Sequence, residues 1–269
     1  MTKSHSNVAG FRTVVYTSVF GGFESIWPPL RPSLAHRHLA VTDSSVQIPG
    51  WEVVRPTDTM SLSHRLANRR QKMLFHEGLT EVDFSVYLDA NVRPIRSLDS
   101  LVRHFAESGA DVGFYPHYAR SSVRQELEAC IRRAKIDNPE TALAELETYE
   151  EAGFPDKSGM WEGSVIIKNH RSKNLSAAMH EWWELYSEFQ TRDQFSLPFV
   201  VWKHGLTVAN LDDERFGREH YFVRLQHSSA GRTNSLARYL QARSAENPIW
   251  NFAHNAIRVA KGVRQKLTR

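Results

Sequence analysis

The protein has 269 residues, of which 41% are hydrophobic and 24% are charged, and its net charge is +4 at pH 7. This composition is typical of a globular protein and excludes a disordered or collagen-like chain. Cys130 is the only cysteine, so an intramolecular disulfide is excluded as well. No apolar run approaches the ~18 residues of a membrane span, and the first residues lack the apolar core of a signal peptide. We therefore expect a soluble, cytoplasmic protein.

The surplus charge is concentrated near the C-terminus. Residues 232–269 contain eight Lys and Arg residues and one acid, Glu246, which gives this segment a net charge of +7. The other 231 residues then carry 4 − 7 = −3. A slightly acidic body is not typical of a nucleic-acid-binding protein, so we expect no nucleic-acid partner. The segment 232–269 is predicted to be a basic helical extension that follows a domain of residues 1–231.

The first ninety residues combine apolar strands with one helix. β-Branched and apolar segments predict strands at residues 12–20, 38–42, 51–55 and 84–88. Between residues 62 and 79 the apolar side chains recur at helical spacing, and Arg69 and Lys72 lie among them. The basic face of this helix either contacts a ligand or is a solvated surface.

The middle of the chain continues this alternation. The patterns predict helices at residues 98–108, within 122–148 as two helices, and at 176–189, and strands at 111–115 and 164–168. A mixed apolar segment follows at residues 195–203. Strands that alternate with helices predict an α/β fold with a single, mostly parallel sheet flanked by helices.

Three of the early strands end in polar residues, at Thr17, Asp43 and Asp89. Ligands of α/β sheets bind outside the carboxyl ends of the strands. Asp89 and Asn91 are two residues apart and offer oxygen ligands for a divalent ion that bridges a diphosphate. The alternative is an ordinary turn, in which Asp and Asn side chains bond to nearby backbone.

An ordered set of short motifs resembles a known family. The set comprises TSVFGG at 17–22, TD at 42–43, RRQK at 69–72, SVYLDAN at 85–91, PHYAR at 116–120 with Glu126, GFP at 153–155, and TRDQFS at 191–196. It resembles the glycosyltransferase-like domain shared by plant mucilage and pollen-development proteins and by bacterial capsule or lipopolysaccharide gene-cluster proteins. That domain is distantly similar to the family-8 GT-A glycosyltransferases. The resemblance implies a GT-A-like, Rossmann-related fold and a nucleotide-sugar donor, with UDP favoured.

The resemblance also implies a donor site. Asp89 takes the place of the first metal-binding acid, Asn91 replaces the second, and His227 is the candidate for the late histidine ligand of Mn²⁺ or Mg²⁺. Asp43 would hold the base or ribose, and the backbone of Tyr16 and Thr17 would flank the base. The positive charges expected to face the diphosphate are those of Arg69, Lys72 and Arg232.

Catalysis and acceptor binding are assigned to a second group of side chains. An inverting enzyme needs a carboxylate or histidine that takes a proton from the acceptor hydroxyl. Asp193 is our first candidate and Glu162 the second; in a retaining enzyme Asp193 would orient the sugar or acceptor instead. His117, Arg120 and Arg192 are assigned to the acceptor. His117 and Arg120 could contact either an anionic acceptor or the donor, and they would equally suit a helix start without a ligand.

Two functions follow from these assignments. The first is a metal-dependent glycosyltransferase that extends a cell-surface polysaccharide or a lipid-linked acceptor. The alternative is a catalytically inactive GT-A-like module that binds a glycan or a partner protein, since Asn91 replaces an acid. The extension has an apolar stripe, so a helix there either packs on the body or lies on an anionic membrane surface as a peripheral anchor. The stripe consists of Phe252, Ala256, Val259, Ala260, Val263 and Leu267.

Overall fold

The computed structural model describes residues 11–33, 36–75, 79, 81–211, 221–225 and 235–267, and its centre is a seven-stranded sheet. The strands are β1 (Thr13–Val19), β2 (His36–Thr42), β3 (Glu52–Val54), β4 (Phe84–Asp89), β5 (Val92–Pro94), β6 (Val112–Pro116), β7 (Trp161–Asn169), β8 (Val208–Asn210) and β9 (Phe222–Arg224). The sheet order is β3-β2-β1-β4-β7-β6-β8, while β5 and β9 form a separate pair.

Helices cover both faces of this sheet. They are α1 (His64–Leu74), α2 (Asp99–Ser108), α3 (Val123–Arg132), α4 (Pro139–Glu151), α5 (Leu175–Phe189), α6 (Asp193–Lys203), α7 (Ser235–Arg243) and α8 (Pro248–Leu267). Among the described strands of the large sheet, only β7 runs antiparallel to its neighbours. The predicted α/β fold with a mostly parallel sheet is therefore confirmed.

Alternation along the strands produces two apolar cores. On β1, Tyr16 belongs to the cluster that contains Trp182 of α5, whereas Val15 belongs to the cluster that contains Phe105 of α2. Successive side chains of a strand point to opposite faces, so one buried strand serves both cores. Such continuous burial explains why the central strands are apolar over most of their length.

The helix α6 was missed by the sequence prediction, which gave only a mixed apolar segment. Phe195, Leu197, Phe199 and Val200 are all buried. A helix that is apolar on every side has no polar face, so its sequence shows no helical periodicity. Pro198 inside the helix also weakened the signal. Strands β5, β8 and β9 were also missed. Each has only three residues, which is too few to show a period, whereas the equally short β3 was found as part of the segment 51–55 that ends before Pro56.

The strand register brings several polar residues to one edge of the sheet. Ser18 is paired with Asp89 and Val19 with Thr42, so β1, β2 and β4 end together. Because β7 is antiparallel, its beginning lies at this same edge. Glu162, near the start of β7, pairs with Tyr115, near the end of β6.

The C-terminal helices are attached to the body by buried ion pairs. Arg93 donates to the carbonyl of Ala242 and contacts Glu246, and Arg238 pairs with Glu24. The boundary between residues 231 and 232 stays a prediction. In the described part of the chain, no helix combines the length and the apolar character needed to cross a membrane.

Candidate active site

A cavity of about 390 Å³ opens at the carboxyl edge of the parallel strands. Its walls come from α1, the end of β4, the segment between β6 and α3, one face of α3, the start of β7 and the start of α6. Among the described residues that line it, the basic ones are Arg69, Lys72, Arg120, Arg133, Lys135, Arg192 and Arg224, and the acidic ones are Asp89, Glu126, Glu162 and Asp193. Seven positive charges against four negative ones favour an anionic ligand.

A buried ion cluster forms the floor of the cavity. The side chain of Ser63 caps the start of α1. Arg69 and Lys72 are three residues apart on this helix and therefore lie on the same face. Lys72 is only 2% exposed. Its Nζ lies 2.5 Å from Oδ2 of Asp193 and 3.8 Å from Oδ1 of Asp89. Nε of Arg69 lies 3.5 Å from the same Asp193 oxygen.

These contacts fix the charge state of Asp193 and Arg69. Burial by itself would raise the pKa of Asp193, but the charges of Arg69 and Lys72 outweigh it and hold this pKa well below its usual range. Burial by itself would lower the pKa of Arg69, but Asp193 and Asp89 outweigh it, so that pKa is raised. Both side chains are therefore ionised throughout the physiological pH range.

Gly163 leaves the room that the Lys72 side chain needs. A Cβ at this position would lie 2.8 Å from Nζ and 3.3 Å from Cε of Lys72. Real Cβ atoms essentially never approach another heavy atom this closely. The glycine at the start of β7 thus allows the ammonium group to reach Asp193.

Asp89 and Asn91 stand beside this cluster. Oδ1 of Asp89 accepts a hydrogen bond from the Tyr87 hydroxyl at 3.0 Å, and the side chain remains 29% exposed. The amide nitrogen of Asn91 donates to the carbonyl of Leu225 at 3.0 Å. This bond uses the nitrogen of the amide, and the oxygen is the atom that would bind a metal ion. One carboxylate and one amide oxygen fit a Mg²⁺ or Mn²⁺ ion whose other ligands are water and substrate phosphate.

A second ion cluster is organised by Glu126 on α3. Its Oε2 lies 2.9 Å from Nη1 of Arg120 and 3.5 Å from Nε2 of His117, and its Oε1 lies 3.8 Å from Nη2 of Arg192. Oε1 also accepts from the Cys130 thiol at 3.2 Å. Burial lowers the pKa of His117 more than Glu126 raises it, so the imidazole is neutral at neutral pH.

Glu162 is paired with an arginine from the smaller sheet. Nη2 of Arg224, in β9, donates to Oε2 of Glu162 at 2.5 Å and also to the Ser164 hydroxyl. The Arg224 side chain is 42% exposed, so part of it is in contact with solvent. Both residues of this pair line the cavity.

Comparison with known families identifies the chain. Residues 31–215 match the model of the TOD1/MUCI70 glycosyltransferase-like domain. The chain belongs to this family. The matched segment includes every described residue that lines the cavity except Arg224. Family membership supports glycosyltransferase activity in general and confirms the resemblance read from the sequence.

One solved structure similar to this TOD1/MUCI70 domain is mouse xyloside xylosyltransferase 1 in its apo form. The two share 11% sequence identity and superpose with a TM-score of 0.42 over 74% of this chain and 85% of that one. No curated protein matches the sequence.

Nine of the predicted site residues of this domain line the one cavity. They are Arg69, Lys72, Asp89, Asn91, His117, Arg120, Glu162, Arg192 and Asp193. His227 and Arg232 lie outside the described residues. Among the described residues, no three His, Cys, Asp or Glu side chains are grouped in a way that could hold a metal ion. The predicted role of each residue, including the binding of a metal ion, stays a prediction.

Three predicted nucleotide-binding residues lie elsewhere. Asp43 is at the same sheet edge but accepts a hydrogen bond from the backbone N–H of Gly21 at 2.9 Å and is outside the cavity lining. Tyr16 and Thr17 are buried within β1, which is paired with strands on both sides. The Tyr16 hydroxyl donates to the carbonyl of Lys72, so this side chain packs under α1.

The sequence interpretation missed several cavity residues. Arg224 lies on a strand of three residues, and nothing in the sequence around it indicates a site. Glu126 belongs to a quoted motif but received no role. The spacing of Glu126, Cys130 and Arg133 at i, i+4 and i+7 would have placed them on one face of α3. Gly163 has no sequence signal, because its importance depends on a side chain ninety-one positions earlier.

Proposed function

We propose that this protein transfers a sugar from a nucleotide-diphosphate donor, UDP in the first instance, to a polysaccharide or lipid-linked acceptor. The observation that supports it best is the buried Lys72–Asp193 pair, with Asp89 beside it, at the carboxyl edge of the parallel strands. Departure of a nucleoside diphosphate requires that its developing negative charge be neutralised. A fixed set of charges at the usual ligand-binding edge of an α/β sheet is suited to this task.

The donor half of the proposed site is made by α1 and the end of β4. Arg69 and Lys72 would face the diphosphate, and Asp89 and Asn91 would hold Mn²⁺ or Mg²⁺. Because Arg69 and Lys72 are matched by the two negative charges of Asp89 and Asp193, this half has no net positive charge of its own. A bound divalent ion would supply the remaining positive charge on the leaving diphosphate.

The contacts of Asp193 favour a positioning role over that of general base. Its carboxylate contacts two cations, and its depressed pKa makes it a weak proton acceptor. We propose that Asp193 holds Lys72 and Arg69 in place and accepts hydrogen bonds from the donor sugar. Glu162 is the better candidate for the base of an inverting reaction, because its described cationic partner, Arg224, is 42% exposed and its charge is therefore partly screened by solvent.

The acceptor half lies between β7 and α3. His117, Arg120 and Arg192 line this side of the cavity and are held by Glu126. We propose that they position the acceptor with its hydroxyl toward Glu162.

The C-terminal helix α8 would bring the enzyme to a lipid-linked acceptor. Phe252 is 76% exposed and Val259 is 64% exposed, and Ala256 and Ala260 of the same predicted stripe are also exposed. The sequence adds Arg258, Lys261, Arg264 and Lys266 to this helix. An apolar stripe among basic residues is suited to the surface of an anionic membrane.

The test is calorimetric titration of the protein with UDP-, GDP- and CDP-sugars, with and without Mn²⁺. We expect one nucleotide to bind more tightly with Mn²⁺, and Asp89→Ala to lose that gain. Asp137→Ala is the matched control, because the Asp137 side chain is fully exposed and does not line the cavity. Failure of the wild-type protein to bind any of the donors would refute the proposal. Glycan binding without donor binding or turnover would favour an inactive binding module.

A further inference from the structure

We infer that one wall of the cavity is a subsite for an anionic group on the acceptor, either a carboxylate or a phosphate. This wall consists of Arg120, Glu126, Arg133, Lys135 and Arg192 and is called the α3 wall below. The inference rests on the proposed function, because it names the chemical class of the acceptor that the same cavity would take.

The geometry of α3 creates this wall. Glu126 and Cys130 are one turn apart on α3, and Arg133, which directly follows the last residue of the helix, also lines the cavity. Ala129 and Cys130 lie between the charged residues and have short side chains, so the middle of the wall is open. A ligand of moderate size can thus approach the cations from inside the cavity.

The positive excess of the cavity lies entirely in the α3 wall. Arg69 and Lys72 are balanced by Asp89 and Asp193, and Arg224 is balanced by Glu162. What remains is four cations of the wall against one acid, Glu126, a net charge of 4 − 1 = +3. A single carboxylate cannot neutralise four cations, so the wall attracts a further anion.

The cations of the wall have unused hydrogen-bonding capacity. Within the described ranges, the side chains of Arg133 and Lys135 form no hydrogen bond or ion pair, and Nε of Arg192 is buried without a hydrogen-bond acceptor. A buried donor without a partner is unfavourable, and a bound anion would supply the missing acceptor. Arginine side chains bind planar carboxylates and phosphates through paired N–H groups.

The position of the α3 wall relative to the sheet favours binding of the acceptor there over binding of the donor. The proposed diphosphate site is at α1 and the end of β4, whereas α3 follows β6. In the sheet order β7 lies between β4 and β6. Glu162, the candidate base, is on β7 and therefore lies between the end of β4, which carries Asp89, and the end of β6, which leads into α3.

The experiment compares three small probes on the full chain loaded with UDP and Mn²⁺, by ligand-observed NMR at low salt. The probes are methyl glucuronide, its neutral counterpart methyl glucoside, and glycerol 3-phosphate. We expect both anions to bind about tenfold more tightly than the glucoside. The tighter of the two anions identifies the source of the charge, a uronic-acid residue or the phosphate of a lipid carrier.

A double variant tests the residues. Arg133→Gln with Lys135→Gln should weaken binding of the anions about tenfold and leave the weak glucoside binding as it is. Lys157→Gln with Lys173→Gln is the matched control, because it removes two exposed positive charges that do not line the cavity.

Two results would overturn the inference. One is equal binding of glucuronide and glucoside by the wild-type protein. The other is a loss of UDP affinity in the double variant as large as its loss of anion affinity, which would assign the wall to the donor. If the wild-type protein binds no nucleotide but binds the anions through Arg133 and Lys135, the proposed function fails and the anionic subsite stands.

Discussion

Lys72 and Asp193 are an ion pair from which water is almost excluded. Removal of one partner from such a pair leaves an uncompensated buried charge, at a cost of about 3–5 kcal/mol. A direct substitution of Lys72 would therefore confound folding with function. Gly163 offers a gentler way to disturb the pair, because it acts on the end of the lysine side chain.

We expect Gly163→Ala to weaken binding of the nucleotide sugar by about tenfold or more. The added methyl group would displace Nζ of Lys72 from Asp193, and the positive charge would move away from the diphosphate. Calorimetric titration measures the affinity for the donor, and urea denaturation measures the free energy of unfolding, so that the two effects are separated. Gly113→Ala, in the neighbouring β6, is the control: it crowds Leu211 and Phe105, so it should lower stability but not affinity. Equal affinity of the two variants for the donor would contradict this assignment.

Glu145 is a further buried acid near the site, although it does not line the cavity. It accepts hydrogen bonds from the Tyr149 hydroxyl at 2.6 Å and from the Thr191 hydroxyl. Burial raises its pKa to about 7 in spite of these two donors. The protonated form is thus favoured by folding, and the stability that it contributes is present below about pH 4.5 and lost as the pH rises through 7.

Glu145→Gln should change the pH dependence of unfolding. Glutamine cannot ionise, so relative to the wild-type protein the variant should gain up to about 3 kcal/mol between pH 5 and pH 8. Urea denaturation at both values measures the difference. Glu140→Gln, an exposed position on the same helix, should give no such gain. A constant difference between Glu145→Gln and wild type at the two pH values would show that Glu145 does not titrate in this range.

At the scale of elements, the junction of α5 and α6 positions one part of the cavity lining. Gln190 ends α5 in a left-handed conformation, with a φ of 51°. Arg65 of α1 donates to the carbonyl of Gln190 at 3.0 Å and also to that of Thr191. Because Arg192 and Asp193 follow immediately, these bonds set where α6 begins and where its first side chains point.

Gln190→Gly should raise the free energy of unfolding by about 0.5–1 kcal/mol, since glycine has no Cβ to oppose a positive φ. The side chain of Gln190 is exposed, so little packing is lost. Ala152→Gly is the control at the end of α4, where φ is −75°, and it should lower the free energy of unfolding. Destabilisation of both variants, measured by urea denaturation, would show that the left-handed residue carries no strain.

At the scale of the whole molecule, charge and apolar surface are unevenly distributed. The body has a slight negative charge, while the C-terminal segment carries +7 and exposes Phe252 and Val259. Neutral vesicles would be bound through the apolar stripe alone, whereas anionic vesicles would also attract the basic side chains.

We expect the full chain to float with vesicles that contain anionic lipid and a chain that ends at Asn251 to remain in solution. Phe252→Ser with Val259→Ser should weaken flotation without removing any charge. Val46→Ser with Met60→Ser is the matched control, because it removes two exposed apolar side chains elsewhere on the molecule. Flotation that is unchanged by the truncation would refute the membrane proposal.

The sequence by itself determined the alternation of strands and helices and the polar residues at strand ends, because both depend on periodicity and on local turns. Asp89, Asn91 and the basic face of α1 could be found in this way. The tertiary structure decided which of these residues meet. Lys72 and Asp193 are 121 positions apart, and only the packing of α1 beside α6 and β7 brings them together. The antiparallel direction of β7 placed Glu162 at the same edge, and burial turned Tyr16 into a core residue. Long-range packing brings these charged residues together, and the exclusion of water strengthens their interactions. Neither has a local pattern in the sequence.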